Sequence, residues 1–403
     1  MNIASKLFCR VFQRCFHLAL PFLPYREPEI HRNTAEVIGI LQKNNLRSPL
    51  LVTDRGLRAA GVTAALEQSL QESGIRLAVY DGTSANPTVH NVEEALEIYR
   101  RQNCDCLIAF GGGSSMDCAK AVGARAVYPK KSVGRMKGLL RVLRKLPPLI
   151  AIPTTAGTGS EVTITAVITD SEQKHKYTMN NFTMIPRYAV LDPAVTYTLP
   201  PHLTATTGMD ALTHAVEAYI GGSTSRQTRH LALHATRLIF ENIEIAYRDG
   251  TDRTARENLL TAAYEAGIAF SKSYVGYVHA VAHSLGGQYN IPHGLANAVL
   301  MPIVLEEYGK SAHKKLHRLA VTAGVADECD PPAVGAEKFI AAIRGLNQRM
   351  SIPATLSGIR AADVPQMAKH AAKEANPLYP VPKLMTAREL ERFYYKVSDG
   401  SIQ

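Results

Sequence analysis

The sequence predicts an α/β domain built on a parallel sheet, followed by an all-helical domain. Short apolar runs alternate with helical periodicities through the first half of the chain, the pattern of strands crossed by helices. Beyond the stretch from Leu191-Asp192-Pro193 to Pro200-Pro201, the spacing of apolar residues is almost wholly helical. At 403 residues the chain is long enough for two or three domains. The expected divisions are an amphipathic segment over residues 1–24, an α/β domain over 25–198 and a helical domain over 199–403.

Taken in order, residues 1–24 place Leu7, Phe8, Val11, Phe12, Cys15 and Phe16 on one helical stripe, with Lys6, Arg10 and Arg14 off it. A helix packed on the protein's own body or on a partner is the favoured reading. A weak membrane-surface contact through residues 1–20 and a transit peptide are the alternatives. Leu50–Thr53 reads as a buried strand and Arg58–Ser73 as a helix. Leu77–Tyr80, Cys106–Phe110 and Leu149–Ile152 are further strands, with a helix over Asn91–Gln102. The second half offers helices over 208–220, 226–247, 254–269, 275–286 and 294–307. A cleft between two such domains is the default place for a ligand.

Composition narrows the class. Hydrophobic residues at 46% and charged residues at 20% exclude a disordered or collagen-like chain. No apolar stretch reaches the roughly 18 residues that span a bilayer. The net charge of +10 permits anionic partners without selecting one. Lys130, Lys131, Arg135, Lys137, Arg141, Arg144 and Lys145 form an acid-free block. It is expected to be a solvated basic helix, because no aromatic residues alternate with the cations to stack bases, and no nucleic-acid partner is expected. The six cysteines include no C-x-x-C pair and make no disulfide framework, which suits reduced thiols in the cytoplasm.

Two loops carry the first chemical signal. Phe110-Gly111-Gly112-Gly113-Ser114-Ser115-Met116-Asp117 follows a strand and opens a helix, with Ser114 as expected cap and Asp117 as its capping-box partner. Glycines admit close backbone approach, and a helix N-terminus suits phosphate, although a plain strand–helix turn would look the same. Pro153-Thr154-Thr155-Ala156-Gly157-Thr158-Gly159-Ser160-Glu161 also follows a strand and is rich in hydroxyls. Two such loops at strand ends of one sheet fit a dinucleotide. Asp54, at the end of the first strand, would bond ribose hydroxyls and favour NAD over NADP, or be an ordinary turn aspartate.

A second signal lies in the helical half. Asp210 and His214 are four apart, as are His279 and His283, and His293 sits at an expected helix start. These polar groups lie among small apolar residues and need partners if buried. An imidazole and carboxylate set fits a divalent metal such as Fe²⁺ or Zn²⁺. An open coordination position would admit an alcohol oxygen, with the metal as Lewis acid.

The chain resembles the iron-dependent (group III) alcohol dehydrogenase family. Four motifs carry the resemblance: Gly-Gly-Gly-Ser-x-x-Asp at 111–117, Pro-Thr-Thr-Ala-Gly-Thr-Gly-Ser-Glu at 153–161, Gly-Met-Asp-Ala-Leu-Thr-His at 208–214 and Gly-Tyr-Val-His-Ala-Val-Ala-His at 276–283. Pro-His-Gly at 292–294 joins them, and the match runs over roughly 25–395. The resemblance implies a dehydroquinate synthase-like architecture, an α/β dinucleotide-binding domain plus an all-α metal-binding domain. It implies reversible hydride transfer between an alcohol and an aldehyde or ketone. Asp210, His214, His279 and His293 would hold the metal, with His283 near the nicotinamide and substrate as proton relay. Gly112, Gly113 and Ser114 would hold the pyrophosphate, Thr154, Thr155 and Thr158 line the cofactor cleft, and Asp54, Asn86, Asp117 and Lys176 complete the cofactor set. Phe270 would border the substrate pocket. A homodimer or larger homo-oligomer is implied. Glycerol dehydrogenase-like and dehydroquinate synthase-like chemistry on the same fold are the alternatives, with a membrane or nucleic-acid binding module a distant third.

Overall fold

The computed structural model describes residues 3–19, 22–170 and 175–400, so residues 1, 2, 20 and 21 of the amphipathic segment lie outside the described residues. The chain forms two compact units, a helical one of residues 1–23, 200–249 and 261–403 and an α/β one of residues 24–199 and 250–260. Residues 250–260, expected in the helical domain, thus belong to the α/β unit, where Arg256 donates to the carbonyls of Gly250 and Leu199.

Helix α1 (Ile3–Ala19) opens the chain. In the α/β unit follow β1 (Glu29–His31), α2 (Glu36–Lys43), β2 (Pro49–Val52), α3 (Arg55–Ala59), α4 (Ala64–Glu72), β3 (Ala78–Tyr80) and α5 (Val89–Arg101). They continue with β4 (Cys106–Gly111), α6 (Gly113–Val127), β5 (Gly138–Leu139), β6 (Leu149–Pro153), β7 (Thr165–Asp170), β8 (His175–Asn180) and β9 (Tyr188–Val190). The helical unit holds α7 (Pro201–Ile220), α8 (Arg226–Arg248), the end of α9 (Arg253–Ser273), α10 (Tyr277–Tyr289), α11 (His293–Tyr308), α12 (His313–Thr322), α13 (Pro332–Arg349), α14 (Val364–Ala375) and α15 (Ala387–Val397). Among the described residues no helix is long and apolar enough to cross a membrane.

Six strands form a parallel sheet in the order β1-β9-β6-β4-β2-β3. Its inner strands β9, β6, β4 and β2 are buried along their whole length and read as largely apolar runs because both faces are covered, while edge strand β1 is mostly exposed. Leu50, Val52, Leu107 and Ala109 point into one core, shared with residues of α5 and α6. Leu51, Ile108, Phe110, Ile150 and Ile152 point into the other, shared with α2 and α4. The order reverses between β2 and β4, since β3 lies to one side of β2 and β4 to the other. Loops that follow strands at such a reversal are where open α/β sheets take ligands. In register, Phe110 pairs with Ile152 and Gly111 with Pro153, so the glycine and threonine loops leave the sheet side by side.

Several expectations are corrected. The helix expected over 58–73 is two helices, broken where Gly61 takes a left-handed φ of 72°. The basic block at 130–145 is not a helix. A short 3-10 turn over Val133–Met136 and strand β5 occupy it, Gly138 turns at φ 96°, and Val133, Met136 and Val142 plug the core while the cations stay outside. A second sheet, β5-β8-β7, had no period-2 signal strong enough to read. Helix α1 packs, but of the stripe the sequence offered only Phe16, against Tyr274, takes part. Cys9 and Gln13 are buried while Leu7, Phe8, Val11 and Phe12 face outward, because polar anchors on the other side bind carbonyls near residue 380.

A buried lysine ties the threonine loop to the sheet. Lys120 of α6 is fully buried and donates to Ser160 Oγ (2.9 Å), Thr163 Oγ1 (3.1 Å) and the carbonyls of Thr163 (3.1 Å) and Thr165 (2.8 Å). Ser160 Oγ donates in turn to Asp117 Oδ1 at 2.7 Å. Burial lowers the Lys120 ammonium to about 8, opposed by the charges of Asp117 and Glu161. Replacing Lys120 with Met would leave the Asp117 carboxylate buried without its cation and orphan the loop carbonyls. We expect a loss of about 3–5 kcal/mol, measurable as a lowered midpoint in urea unfolding with the spectroscopic signature of the native fold retained below it.

Candidate metal and cofactor sites

The metal-site residues come from three helices of the helical unit. Asp210 and His214 lie one turn apart on α7, His279 on the first turn of α10, and His293 is the first residue of α11. One donor atom from each of the four lies within 4.8 Å of all the others. Asp210, His214 and His279 are buried, and the His214 ring stacks on His279 with centroids 4.4 Å apart. Local sequence explains the convergence. Gly294 starts α11 hard against α7, where a Cβ would collide with the Thr206 carbonyl, so only glycine lets His293 reach Asp210. Pro292 precedes it and leaves the helix N-terminus free of a side-chain cap.

Polar neighbours the sequence did not single out hold these donors in place. Glu217 of α7 is buried and accepts from the backbone N–H of Gly276 (2.7 Å) and Val278 (2.8 Å), and its Oε2 lies 2.7 Å from His279 Nδ1. That contact commits Nδ1 of His279 and turns Nε2 toward the cluster. Asn297, one turn along α11, donates to Asp210 Oδ1 at 2.6 Å and lies 3.1 Å from His293 Nε2. Their spacing from the ligands, seven residues and one helical turn, could have flagged them only once the ligands were known.

The donor set fits a metal ion. His279 Nε2 is buried without a hydrogen-bond partner, 3.7 Å from Asp210 Oδ1, and His293 Nε2 is 3.4 Å from the same oxygen. Donors about 2.0–2.2 Å from a shared ion stand about 3–4.4 Å apart. The charges point the same way. Burial works against ionised Asp210, yet His293, His214 and His279 outweigh it and hold the carboxyl well below its ordinary range. Burial likewise works against charged His279, but Asp210 and Glu217 raise it to about 9. Desolvation lowers His293 well below its usual value despite Asp210. A cation at this point would take over the pairing that the imidazolium of His279 supplies.

His283 lies one turn past His279, its ring stacked on His293 with centroids 5.1 Å apart. Its Nδ1 lies 2.7 Å from Glu374 Oε1, and Tyr379 donates to the same oxygen at 2.8 Å. Phe270 stacks on His214, centroids 4.2 Å apart and planes 15° from parallel, so it walls the metal cluster directly.

The cofactor candidates lie in the α/β unit. Gly112 is the N-cap of α6, with no side-chain cap, so the first-turn N–H groups are left to a ligand. A Cβ at Gly113 would stand 2.7 Å from Thr158 Cγ2, and one at Gly112 3.5 Å from Thr155, so the glycines let the two loops close on each other. Together they leave a bare backbone cradle at a helix start, which fits a pyrophosphate. Thr154 is buried, and its N–H donates to the Gly111 carbonyl. Asn86 Oδ1 accepts from Lys176 Nζ at 2.7 Å, which brings those two together. Asp54 caps α3, its Oδ1 accepting from Leu57 N at 3.0 Å, which is the role of a turn aspartate at one of its two oxygens.

The expected capping box does not form. Ser114 Oγ donates instead to the Ala85 carbonyl at 2.6 Å. Asp117 is withdrawn into the interior, where it accepts from Ser160 Oγ and Val167 N (2.9 Å). Its carboxylate shapes the loop and does not face the helix mouth, a correction to its place among the cofactor contacts. The Ser160 hydroxyl and the Val167 N–H each take one of its oxygens there, while burial raises the carboxyl against the charge of Lys120 one turn along α6.

Comparison with known proteins decides the family. The profile for iron-containing alcohol dehydrogenase matches residues 30–193, and that for the C-terminal part of the Fe-containing alcohol dehydrogenase family matches 204–397. The chain belongs to the iron-containing alcohol dehydrogenase family. It is 41% identical over 334 residues to 1,3-propanediol dehydrogenase of Klebsiella pneumoniae, covering 82% of this chain and 86% of that one. Among solved structures, a 1,3-propanediol oxidoreductase superposes with a TM-score of 0.88 at 37% identity, covering 93% of this chain and 99% of that one. Sulfoacetaldehyde reductase from Bifidobacterium kashiwanohense, solved with NAD⁺, superposes with a TM-score of 0.83 at 27% identity, covering 94% and 99%. The dehydroquinate synthase-like architecture expected of the family is the one observed, and the chain is an NAD(P)-linked oxidoreductase of alcohols.

Protons compete with a metal for His279. Below about 9 its proton must leave before a metal can bind, and above that value it is already gone. Apparent metal affinity should therefore rise with pH, roughly tenfold per unit for one displaced proton, and level off near 9. Competition titration of the apoprotein with Zn²⁺ against a chelator between pH 6 and 9.5 checks it, and a flat profile would contradict the assignment.

Proposed function

We propose that this enzyme interconverts a small alcohol or diol and the matching carbonyl compound with NAD, holding a divalent metal on Asp210, His214, His279 and His293. The four-donor cluster, with Asp210, His214 and His279 buried and His293 at its open edge, carries the reading. When bound, the metal supplies Lewis acidity toward the alcohol oxygen, and the nicotinamide supplies the hydride acceptor or donor. Asp210 contributes one negative charge to the donor set, so a divalent ion there keeps positive charge to offer. Glu217 and Asn297 orient the donors, and Phe270 closes one side with an apolar ring. His283 presents its second ring nitrogen beside the cluster and passes the alcohol proton toward solvent. In the α/β unit, Gly112, Gly113 and the N-terminus of α6 take the pyrophosphate, Ser114 serving as a backbone donor. Thr154, Thr155 and Thr158 shape the cleft, with Asn86 and Lys176 toward the nicotinamide ribose.

We assign Fe²⁺ as the metal, with Zn²⁺ suited to the same donors. We assign NAD rather than NADP because Asp54 keeps an oxygen beyond its cap bond to meet ribose hydroxyls and repel a 2′-phosphate. A homo-oligomer and a cytoplasmic setting, consistent with six free cysteines, complete the proposal. The outward apolar side of α1 (Leu7, Phe8 and Val11) supports a weak membrane-surface contact as a secondary reading.

Anaerobic purification, metal analysis and an NADH-absorbance assay over short alcohols and diols, with added Fe²⁺ or Zn²⁺, test the whole. Metal-dependent NADH formation is expected, and protein that takes up no metal under any condition would overturn it. His279→Ala should lose metal and turnover while NAD affinity, followed by nucleotide fluorescence, stays near that of the parent. Intact turnover would remove the metal assignment. Asp54→Gly should raise kcat/KM with NADP relative to NAD by about tenfold or more, the scale of a single charge-assisted hydrogen bond. An unchanged ratio would remove Asp54 from cofactor selection.

A further inference from the structure

The segment between α14 and α15, residues 376–386, has almost no regular secondary structure, so its backbone carbonyls need donors from elsewhere. Helix α1 supplies four of these bonds. Gln13 Nε2 donates to the carbonyls of Pro377 (3.1 Å) and Tyr379 (2.8 Å), and Arg10 donates to those of Val381 (2.7 Å) and Pro382 (3.0 Å). Arg10 also donates to Gln13 Oε1 at 2.9 Å, so the two anchors hold each other. A row of rings runs alongside. Phe16 of α1 meets Tyr274 edge-on at 4.9 Å, and Tyr274 lies 6.1 Å from Tyr379. Tyr379 is buried, and its hydroxyl reaches Glu374 Oε1, the same oxygen that meets His283 Nδ1. An unbroken series of contacts thus leads from the N-terminal helix to the ring beside the metal cluster. Both family matches begin later in the chain than α1, at residues 30 and 204.

We propose that Glu374, held by Tyr379, is a positioning residue that fixes the ring of His283, and that α1 braces the pair through Gln13 and Arg10. This rests on the reading of His283 as the group that handles the alcohol proton. An imidazole whose Nδ1 donates to a carboxylate has one tautomer and one orientation, with Nε2 as its free nitrogen. Without that acceptor the half-buried ring of His283 could turn or exchange tautomer, and Nε2 would face the cluster only part of the time. Tyr379 stops the carboxylate from swinging away, and a carbonyl-rich segment tied down at four points stops Tyr379 from doing so. The N-terminal helix therefore serves the site from outside it, through bonds to backbone carbonyls and the ring of Phe16, while Leu7, Phe8, Val11 and Phe12 face outward.

The test compares the zinc-loaded enzyme with Glu374→Ala, Glu374→Gln, an Arg10→Ala/Gln13→Ala double variant and, as reference, His283→Ala. Glu374→Ala should lower kcat on the order of tenfold or more with KM for NAD unchanged. Glu374→Gln keeps an oxygen that accepts from Nδ1 and should recover most of the loss, and the double variant should fall between the two. Nitrogen NMR of the imidazoles gives a readout independent of turnover. The His283 ring should show a single tautomer protonated at Nδ1 in the parent and in Glu374→Gln, and a mixture in Glu374→Ala and in the double variant. If His283→Ala is impaired while Glu374→Ala keeps the parent's kcat and single tautomer, the role of Glu374 is overturned. If the double variant alone matches the parent in both readouts, the brace is overturned. If His283→Ala itself turns over at the parent's rate, the reading of His283 fails, and the inference falls with it.

Discussion

Three imidazoles and a carboxylate converge in the helical unit, all but His293 buried, and the packing of its central helices follows from that. Such groups crowd together at a cost unless each has a partner. Glu217 meets this demand by reaching from α7 to the buried N–H groups at the start of α10, which fixes where that helix begins and how His279 faces. Asn297 does the same from α11 to Asp210. Gly294 then removes the one side chain that would hold α11 off α7. Helix α7 is buried along nearly its whole second half because it must present Asp210, His214 and Glu217 to neighbours on several sides.

The α/β unit meets a different constraint. The cradle proposed for a pyrophosphate would need bare N–H groups on a rigid backbone, and rigidity must come from behind. Here it comes from Lys120, whose ammonium ties the threonine loop to α6 through Ser160, Thr163 and Thr165. Asp117 completes this support from inside. Burying opposite charges is a poor source of stability in itself, but Lys120 and Asp117, bridged by the Ser160 hydroxyl, hold two loops in one register at the end of neighbouring strands. The same logic recurs around His283, where Glu374 and Tyr379 stand behind a ring that faces the cluster. In each case the group proposed to meet a ligand is held by one that is not.

The motifs marked the donors themselves because i, i+4 spacing in a helix puts two residues on one face whatever the rest of the fold does. Asp210 with His214, and the glycine run after a buried strand, were legible on this ground. Glu217 and Glu374 were not, since a carboxylate on a helix reads as an ordinary solvated charge until a neighbouring helix is placed over it. Asp117 was misread for a related reason. A capping box is a local pattern, and the Ser160 hydroxyl and the Val167 N–H, distant in sequence, overrode it. The basic block failed as a helix because Gly134, Gly138 and the need to plug the core with Val133, Met136 and Val142 outweighed its charge pattern.

By itself the sequence determined the strand–helix alternation, the change to helices near residue 200, and the residue types suited to a metal and a dinucleotide. These rest on interactions within a few residues, where periodicity and chain geometry suffice. Only the tertiary structure decided that His293 reaches Asp210 across 83 positions, that Asn86 meets Lys176, and which face of α1 packs. The outward turn of Leu7, Phe8, Val11 and Phe12 on α1 is the clearest case. Local amphipathicity favoured burying Leu7 and Phe8, but unpaired carbonyls near Tyr379 needed the hydrogen bonds that Gln13 and Arg10 could donate. An unsatisfied buried carbonyl is a property of a folded chain, and no pattern along the sequence records it.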